Sequence, residues 1–262
     1  MAVASGRRAS DGSPYPDRAD PGFERDIRAM FTHIARGYDW FDHIASLGND
    51  FFWRPRALWD ADRFRHGRVP RRVLDVGCGP GDLSALAAHH YPGSRVVGVD
   101  VTRAMLRRAF DRPRPQGDAA RLDWAEATAL RLPFPDRAFD LVMSAFVVRN
   151  LPRLPEALAE LRRVVAPGGT LLTLEITEPA SKRFRALFHA YFDSFVPWLG
   201  AAVGSEGPYR YLPESLRSLP DRRTMLELLG IAGFGRVEAI PQSLGIVTSY
   251  LAEAPGAADP AR

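Results

Sequence analysis

The sequence predicts an α/β fold: a mostly parallel sheet of seven strands with helices on both faces, preceded by a helical cap. Three observations predict it. β-Branched and aromatic runs alternate with helically spaced apolar segments through the middle of the chain, the pattern of parallel strands joined by crossover helices. The first such run, Val73-Leu74-Asp75-Val76, passes directly into the glycine-dense turn Gly77-Cys78-Gly79-Pro80-Gly81 and then into a helical segment. Ahead of it, apolar residues recur at helical intervals from Phe23 to Phe64, as in Ile27, Met30, Phe31 and Ile34.

Taken in order, residues 1 to 22 are rich in Ser, Gly, Pro, Arg and Asp and too poor in apolar side chains to offset the entropy of ordering, so a disordered tail is expected. Residues 23 to 66 are expected to form two or three helices, the later ones bearing Phe51, Phe52, Leu58 and Trp59. Strands are expected near 73–76, 95–99, 121–125, 139–144 and 170–176, with a helix at 83–90 and another at 155–165. The latter is closed by Ala166-Pro167-Gly168-Gly169, a helix stop followed by a turn. Residues 182 to 199 read as one long, strongly apolar helix whose aromatics (Phe184, Phe188, Phe192, Phe195, Trp198) exceed what one core-facing stripe needs. A last helix near 222–232 and strands near 236–240 and 246–251 complete the sheet. The whole of 23 to 253 is then a single domain, and 254 to 262 a second tail.

A chain of 262 residues suits one good-sized domain with appendages. No apolar run is long enough to span a bilayer, and residues 1 to 22 lack the apolar core of a secretory signal, so a cytoplasmic location is expected. Cys78 is the sole cysteine, which rules out an internal disulfide, and its place in a tight turn suits a small filler better than a nucleophile. The net charge of +4 is carried almost wholly by arginine, with Lys182 the single lysine. These arginines are scattered rather than gathered in a stripe. With no clustered basic stripe, a nucleic-acid partner is not expected.

The chemistry is concentrated at the glycine turn. A dinucleotide-binding fingerprint needs a third glycine at position 82, which is Asp82 here. The pattern is instead Gly77-x-Gly79-x-Gly81, with Asp75 before it and Asp100 about 20 residues on, where strand-helix-strand nucleotide sites place a ribose ligand. This arrangement resembles the binding loop of class I S-adenosylmethionine-dependent methyltransferases, whose fold is Rossmann-like. Asp100 can accept both ribose hydroxyls in charge-assisted bonds. Asp75 either holds the loop by accepting its N–H groups or faces the cofactor's ammonium group. Thr128-Ala129, before Leu132-Pro133-Phe134-Pro135-Asp136, stands where such sheets place the adenine edge.

A narrower resemblance covers most of the chain from Met30 to Tyr250. Phe31-x-x-Ile34-Ala35-x-x-Tyr38-Asp39-x-x-x-x-x-x-Ser46-x-Gly48-x-x-x-x-Trp53-Arg54, then Val148-Arg149-Asn150-Leu151, then Pro167-Gly168-Gly169-x-Leu171-Leu172-x-Leu174-Glu175, and finally Tyr209-Arg210-Tyr211-Leu212 resemble the ubiquinone/menaquinone biosynthesis C-methyltransferase family in order and spacing. The resemblance implies transfer of a methyl group from S-adenosylmethionine to the ring of a reduced, prenylated quinone, with no metal. It implies Asp75, Gly77, Gly79, Pro80, Gly81, Asp100, Thr128, Ala129 and Ala145 as cofactor contacts. Arg149, Asn150 and Tyr38 are implied in catalysis, and Tyr209, Arg210 and Tyr211 in substrate binding. Arg149 can stabilise a developing phenolate, and Asn150 orients either the same hydroxyl or the backbone. His33, His43 and Asp50 are open choices for a base, as is a water beside a carboxylate. The chain departs from the family pattern at Phe41, Asp42 and Asp50, which supports a competing reading, methylation at O or N of another small molecule. The aromatic surplus of 184–198 with Phe51-Phe52-Trp53 can line a trough for a prenyl tail, touch a membrane peripherally, or join a homodimer.

Overall fold

Seven strands form one sheet in the order β3-β2-β1-β4-β5-β7-β6 in the computed structural model, which describes residues 21–34, 50–112, 121–195, 215–216 and 219–256. The strands are β1 (Arg72–Val76), β2 (Arg95–Asp100), β3 (Leu122–Glu126), β4 (Phe139–Ala145), β5 (Val165–Ile176), β6 (Arg236–Gln242) and β7 (Val247–Glu253). The first five are mutually parallel; β7 runs antiparallel between β5 and β6. The order reverses between β1 and β4, whose exits therefore open a crevice at the carboxyl edge, the place where open α/β sheets bind ligands.

Period-two alternation supplies both faces of the sheet. Val73, Leu141, Met143, Leu172 and Leu174 face one apolar layer, closed by helices α2 (Asp50–Phe64) and α3 (Asp82–His90). Leu74, Val76, Val142 and Leu171 face the other layer, closed by α5 (Leu154–Val164) and α7 (Arg222–Ile231). Asp75 belongs to the first face, so it points toward α2 and α3. Of the remaining helices, α1 (Pro21–Ile34) and α4 (Arg103–Asp111) pack together near β3, while α6 (Lys182–His189) follows β5.

Local signals explain several boundaries. Pro155 stands in the first turn of α5, where its missing N–H costs nothing. Asp221 caps α7 by accepting the Thr224 N–H at 2.8 Å. Two expectations are corrected. Ala166-Pro167-Gly168-Gly169 is not a turn before the strand; β5 already starts at Val165 and passes through these residues with an irregular register against β4. Hydrogen bonds from Gly168 N–H to Ala254 and from Ala254 N–H to Gly169, at 3.0 and 2.9 Å, keep the segment in the sheet and leave Ala254 fully buried rather than in a tail. The helix after β5 is α-helical only to His189 and widens into a π-helical stretch at Ala190–Phe195; residues 196–199 lie outside the described residues.

Candidate active site

The loop after β1 passes through Gly77, Gly79 and Gly81 at φ of +68°, +55° and +89°, a left-handed backbone that side chains disfavour. At Gly81 an added Cβ would lie 2.5 Å from the Trp124 ring, whereas at Gly79 it would meet nothing within 4 Å. Gly81 is thus needed for packing, while Gly79 opens onto empty space at the crevice. The amides of the loop are all satisfied internally. Gly77 and Cys78 donate to the Val99 carbonyl at 2.8 and 3.0 Å, Gly79 donates to Asp100 Oδ2 at 2.9 Å, and Gly81 donates to the Cys78 carbonyl at 2.9 Å. Pro80 has no N–H to give.

Asp100, at the end of β2, is buried and also accepts the Thr102 N–H through Oδ1 at 2.7 Å. Burial raises its carboxyl above the ordinary value, against the pull of those two amides. Each oxygen retains a further lone pair for a ligand hydroxyl. Asp75, 1% exposed, accepts the Ser84 hydroxyl of α3 at 2.5 Å. Burial pushes it up to about 7, opposed by Ser84 and by the charge of Arg54. Because Asp100 and Val99 already accept the loop amides, the first of the two sequence-level roles for Asp75, holding the loop by its N–H groups, is not what the geometry shows. The Cys78 thiol is buried and raised well above its usual value by burial and by both carboxylates, so it stays protonated and unfit as a nucleophile.

Across the switch point, β4 ends at Ala145 and the chain continues through Phe146, at φ +62°, into a 3-10 turn at Val148–Asn150. The side chain of Val147 fills the space where Gly77 lacks one, so the two exits touch. Arg149 is 8% exposed, with its Nη1 3.6 Å from Oε2 of the buried Glu175 on β5. Glu175 Oε1 also accepts the Val148 N–H at 2.6 Å. Burial raises Glu175 to about 7, opposed by Arg149. Asn150 donates its side-chain amide to the Phe146 carbonyl at 3.3 Å, a contact with the backbone of its own turn.

Beyond β3, the Ala127 N–H donates to the Asp100 carbonyl at 3.1 Å, which brings Thr128 and the buried Ala129 beside the crevice. Thr128 bridges to Arg131 in a short turn. The segment that follows is clamped to α5: Arg163 donates to the carbonyls of Phe134 and Leu132 at 2.8 and 3.1 Å and pairs with Asp136 and Glu160.

The structure therefore gathers Asp75, Gly77, Gly79, Pro80, Gly81, Asp100, Thr128, Ala129, Ala145 and Arg149 along one edge. Tyr38, Tyr209, Arg210, Tyr211 and His43 lie outside the described residues, as do the side chains of His33 and Asp50. Among the described residues no cluster of His, Cys, Asp and Glu has a metal-binding arrangement. Ser84, Phe146 and Glu175 belong to the site but were not singled out from sequence. Glu175 had a visible signal, a carboxylate within the otherwise apolar run Leu171-Leu172-Thr173-Leu174-Glu175-Ile176.

A sheet with this strand order, a glycine loop after its first strand and an acid closing its second define a class I methyltransferase fold. The model of the ubiE/COQ5 methyltransferase family matches residues 22–253. The chain belongs to that family. Demethylmenaquinone methyltransferase of Thermus thermophilus is 38% identical over 228 residues, covering 86% of this chain and 100% of the relative. Ubiquinone/menaquinone biosynthesis C-methyltransferase of Paracoccus denitrificans is 35% identical over 225 residues, covering 86% of this chain and 88% of the relative. A solved structure of a SAM-dependent methyltransferase from Thermotoga maritima, described as a possible histamine N-methyltransferase, shares the fold with a TM-score of 0.57. At 14% identity, covering 86% of this chain and 98% of that one, it speaks to fold alone.

Proposed function

We propose that this protein methylates a ring carbon of a reduced, prenylated quinone precursor, of the demethylmenaquinol or ubiquinol type, with S-adenosylmethionine as methyl donor. The observation that carries this reading is the match to quinone-pathway C-methyltransferases over nearly their full length. The crevice fits the donor: Gly79 leaves an open cradle between two buried carboxylates, Asp75 and Asp100, and the donor's nucleoside and amino-acid parts need such acceptors. When bound, the donor supplies an electrophilic methyl group. Asp100 accepts the ribose hydroxyls, Asp75 faces the ammonium group, and Thr128 and Ala129 border adenine. Gly77, Pro80, Gly81 and Ala145 shape the walls.

The protein's remaining task is to make a ring carbon nucleophilic. Arg149, held in a buried position by Glu175, presents a fixed positive charge at the lip of the crevice and stabilises the phenolate form of the ring hydroxyl. Asn150 braces the turn on which Arg149 stands. The family resemblance assigns Tyr38 to catalysis and Tyr209, Arg210 and Tyr211 to substrate binding. The methyltransferase domain read from sequence over 23–253 extends to Ala254, which is laddered to β5, and 23–66 acts as its cap.

The prenyl tail brings a lipid surface into the account. No helix among the described residues is long and apolar enough to cross a membrane. On α6, however, Lys182, Arg183 and Arg185 are exposed around exposed Phe184 and Leu187, while Phe188, and Phe192 of the π-helical stretch that follows, are buried. A cationic and apolar outer face of this kind suits peripheral contact from the cytoplasmic side, with a homodimer as the rival occupant.

The deciding assay offers the protein labelled S-adenosylmethionine with a reduced demethylmenaquinone and, separately, a reduced demethylated benzoquinone. Mass spectrometry then locates the methyl. Ring-carbon methylation of either quinol is the expected result, and the preferred ring names the pathway. Donor binding without transfer to either ring would overturn the quinol assignment in favour of an O- or N-methyltransferase.

A further inference from the structure

The donor's amino-acid end carries two opposite charges at neutral pH, an ammonium and a carboxylate. Asp75 answers the first. The loop has no group for the second, because every amide from Gly77 to Gly81 already has an acceptor inside the protein and Pro80 has none. A carboxylate buried in this crevice without a cation would be costly. The described cap helix α2 places a cation there. Arg54 is 9% exposed and stands on the same sheet face as Asp75, in the layer that also provides Ser84. Its guanidinium lies 5.7 Å from the centroid of Phe146, the residue next to the Val147 side chain that fills the space at Gly77. Arg54 is thus at the switch point, near enough to Asp75 for its charge to act on that carboxylate.

We propose that Arg54 binds the carboxylate of the donor's methionine moiety, completing with Asp75 a paired-charge subsite for the amino-acid end. This rests on the S-adenosylmethionine reading above and deepens it. A guanidinium has five N–H donors in a planar fork, enough to hold a ligand carboxylate alongside its stacking on Phe146 and its other contacts within the protein. The favourable action of its charge on Asp75 runs the same way: with Arg54 present, the buried acid is held less far above its ordinary value than burial alone would set. Because α2 belongs to the cap, the donor then bridges the cap and the sheet.

The test compares two ligands by calorimetry on the full chain: S-adenosylhomocysteine, which has the amino-acid end, and 5′-methylthioadenosine, which lacks it. Wild-type protein is expected to bind the former more tightly. Arg54→Met is expected to weaken S-adenosylhomocysteine about 10- to 100-fold while leaving 5′-methylthioadenosine within about twofold, and Arg54→Lys to recover part of the loss. Equal weakening of both ligands would make Arg54 a packing residue and overturn the proposal, as would unchanged binding of S-adenosylhomocysteine. If wild-type protein bound neither ligand, the donor reading itself would fall, and the proposal with it. Thermal melting of each variant separates lost fold from lost recognition.

Discussion

Gly79 and Gly81 share a left-handed backbone yet face different surroundings, and the difference separates stability from binding. Gly81→Ala forces a Cβ against Trp124 at φ +89° and is expected to cost about 3 kcal/mol, read as a lower denaturation midpoint. Gly79→Ala meets no neighbour and is expected to cost only about 1 kcal/mol, yet to abolish S-adenosylhomocysteine binding because the methyl enters the cradle. Asp75 makes a second prediction through pH. Its carboxyl is raised in the folded state to about 7, so the folded protein holds that proton more tightly than the unfolded chain does. The associated stability is present below about pH 4, the ordinary value, and is lost as pH rises through about 7. Asp75→Asn keeps an acceptor for Ser84 without the charge. Its melting temperature is expected to match the parent's at pH 4 and exceed it at pH 8; no difference at pH 8 would contradict a buried, charged Asp75.

At the scale of elements, α2 matters because it joins the cap to the sheet. Its Trp53 donates its indole N–H to Ser243 Oγ at 2.7 Å, and its buried Asp60 accepts from Arg56, Ser249 and Gln242 at 3.0, 3.2 and 3.4 Å. Asp60→Ala removes the acceptor of the buried Ser249 hydroxyl and one of two acceptors of Gln242, which still donates to Ser249 Oγ at 2.8 Å, and is expected to cost about 2 kcal/mol in denaturant unfolding. It should also weaken S-adenosylhomocysteine binding, since the helix that bears Arg54 loosens. The other cap helix, α1, reaches the site from the opposite side, with Arg28 3.9 Å from Glu126 at the end of β3. The strands and most helices were legible in sequence because their signals are local. The apolar run Val73-Leu74-Asp75-Val76 and the helical spacing of apolar residues in 83–90 and 155–165 act within a few positions. The Pro167-Gly168-Gly169 segment misled because its fate depends on partners far away in the chain. Ladder bonds from Ala254 turn a stop signal into part of a strand.

For the whole molecule, the strand order places the exits of β1 and β4 side by side and the cationic, apolar face of α6 on the outside. If α6 meets the lipid that dissolves the substrate, the protein should co-sediment with phosphatidylglycerol vesicles but not with phosphatidylcholine vesicles. Charge reversal at both Lys182→Glu and Arg183→Glu should weaken that binding at least about 10-fold, with methylation of a short-chain, water-soluble quinol unchanged. A concentration-dependent mass with no vesicle binding would assign the apolar face to a dimer instead.

The sequence by itself determined the fold class, the binding loop and the family, because each is written in residues close together in the chain: a strand, three glycines, a spaced acid and signature runs. The tertiary structure alone decided which groups face one another. That Asp100 rather than Asp75 secures the loop, that Glu175 holds Arg149, and that Arg54 comes to the crevice follow from strand order and helix packing. Burial then does what no local pattern encodes. It removes water from Asp75 and Glu175, raises both toward neutrality, and makes the charges opposite them decisive.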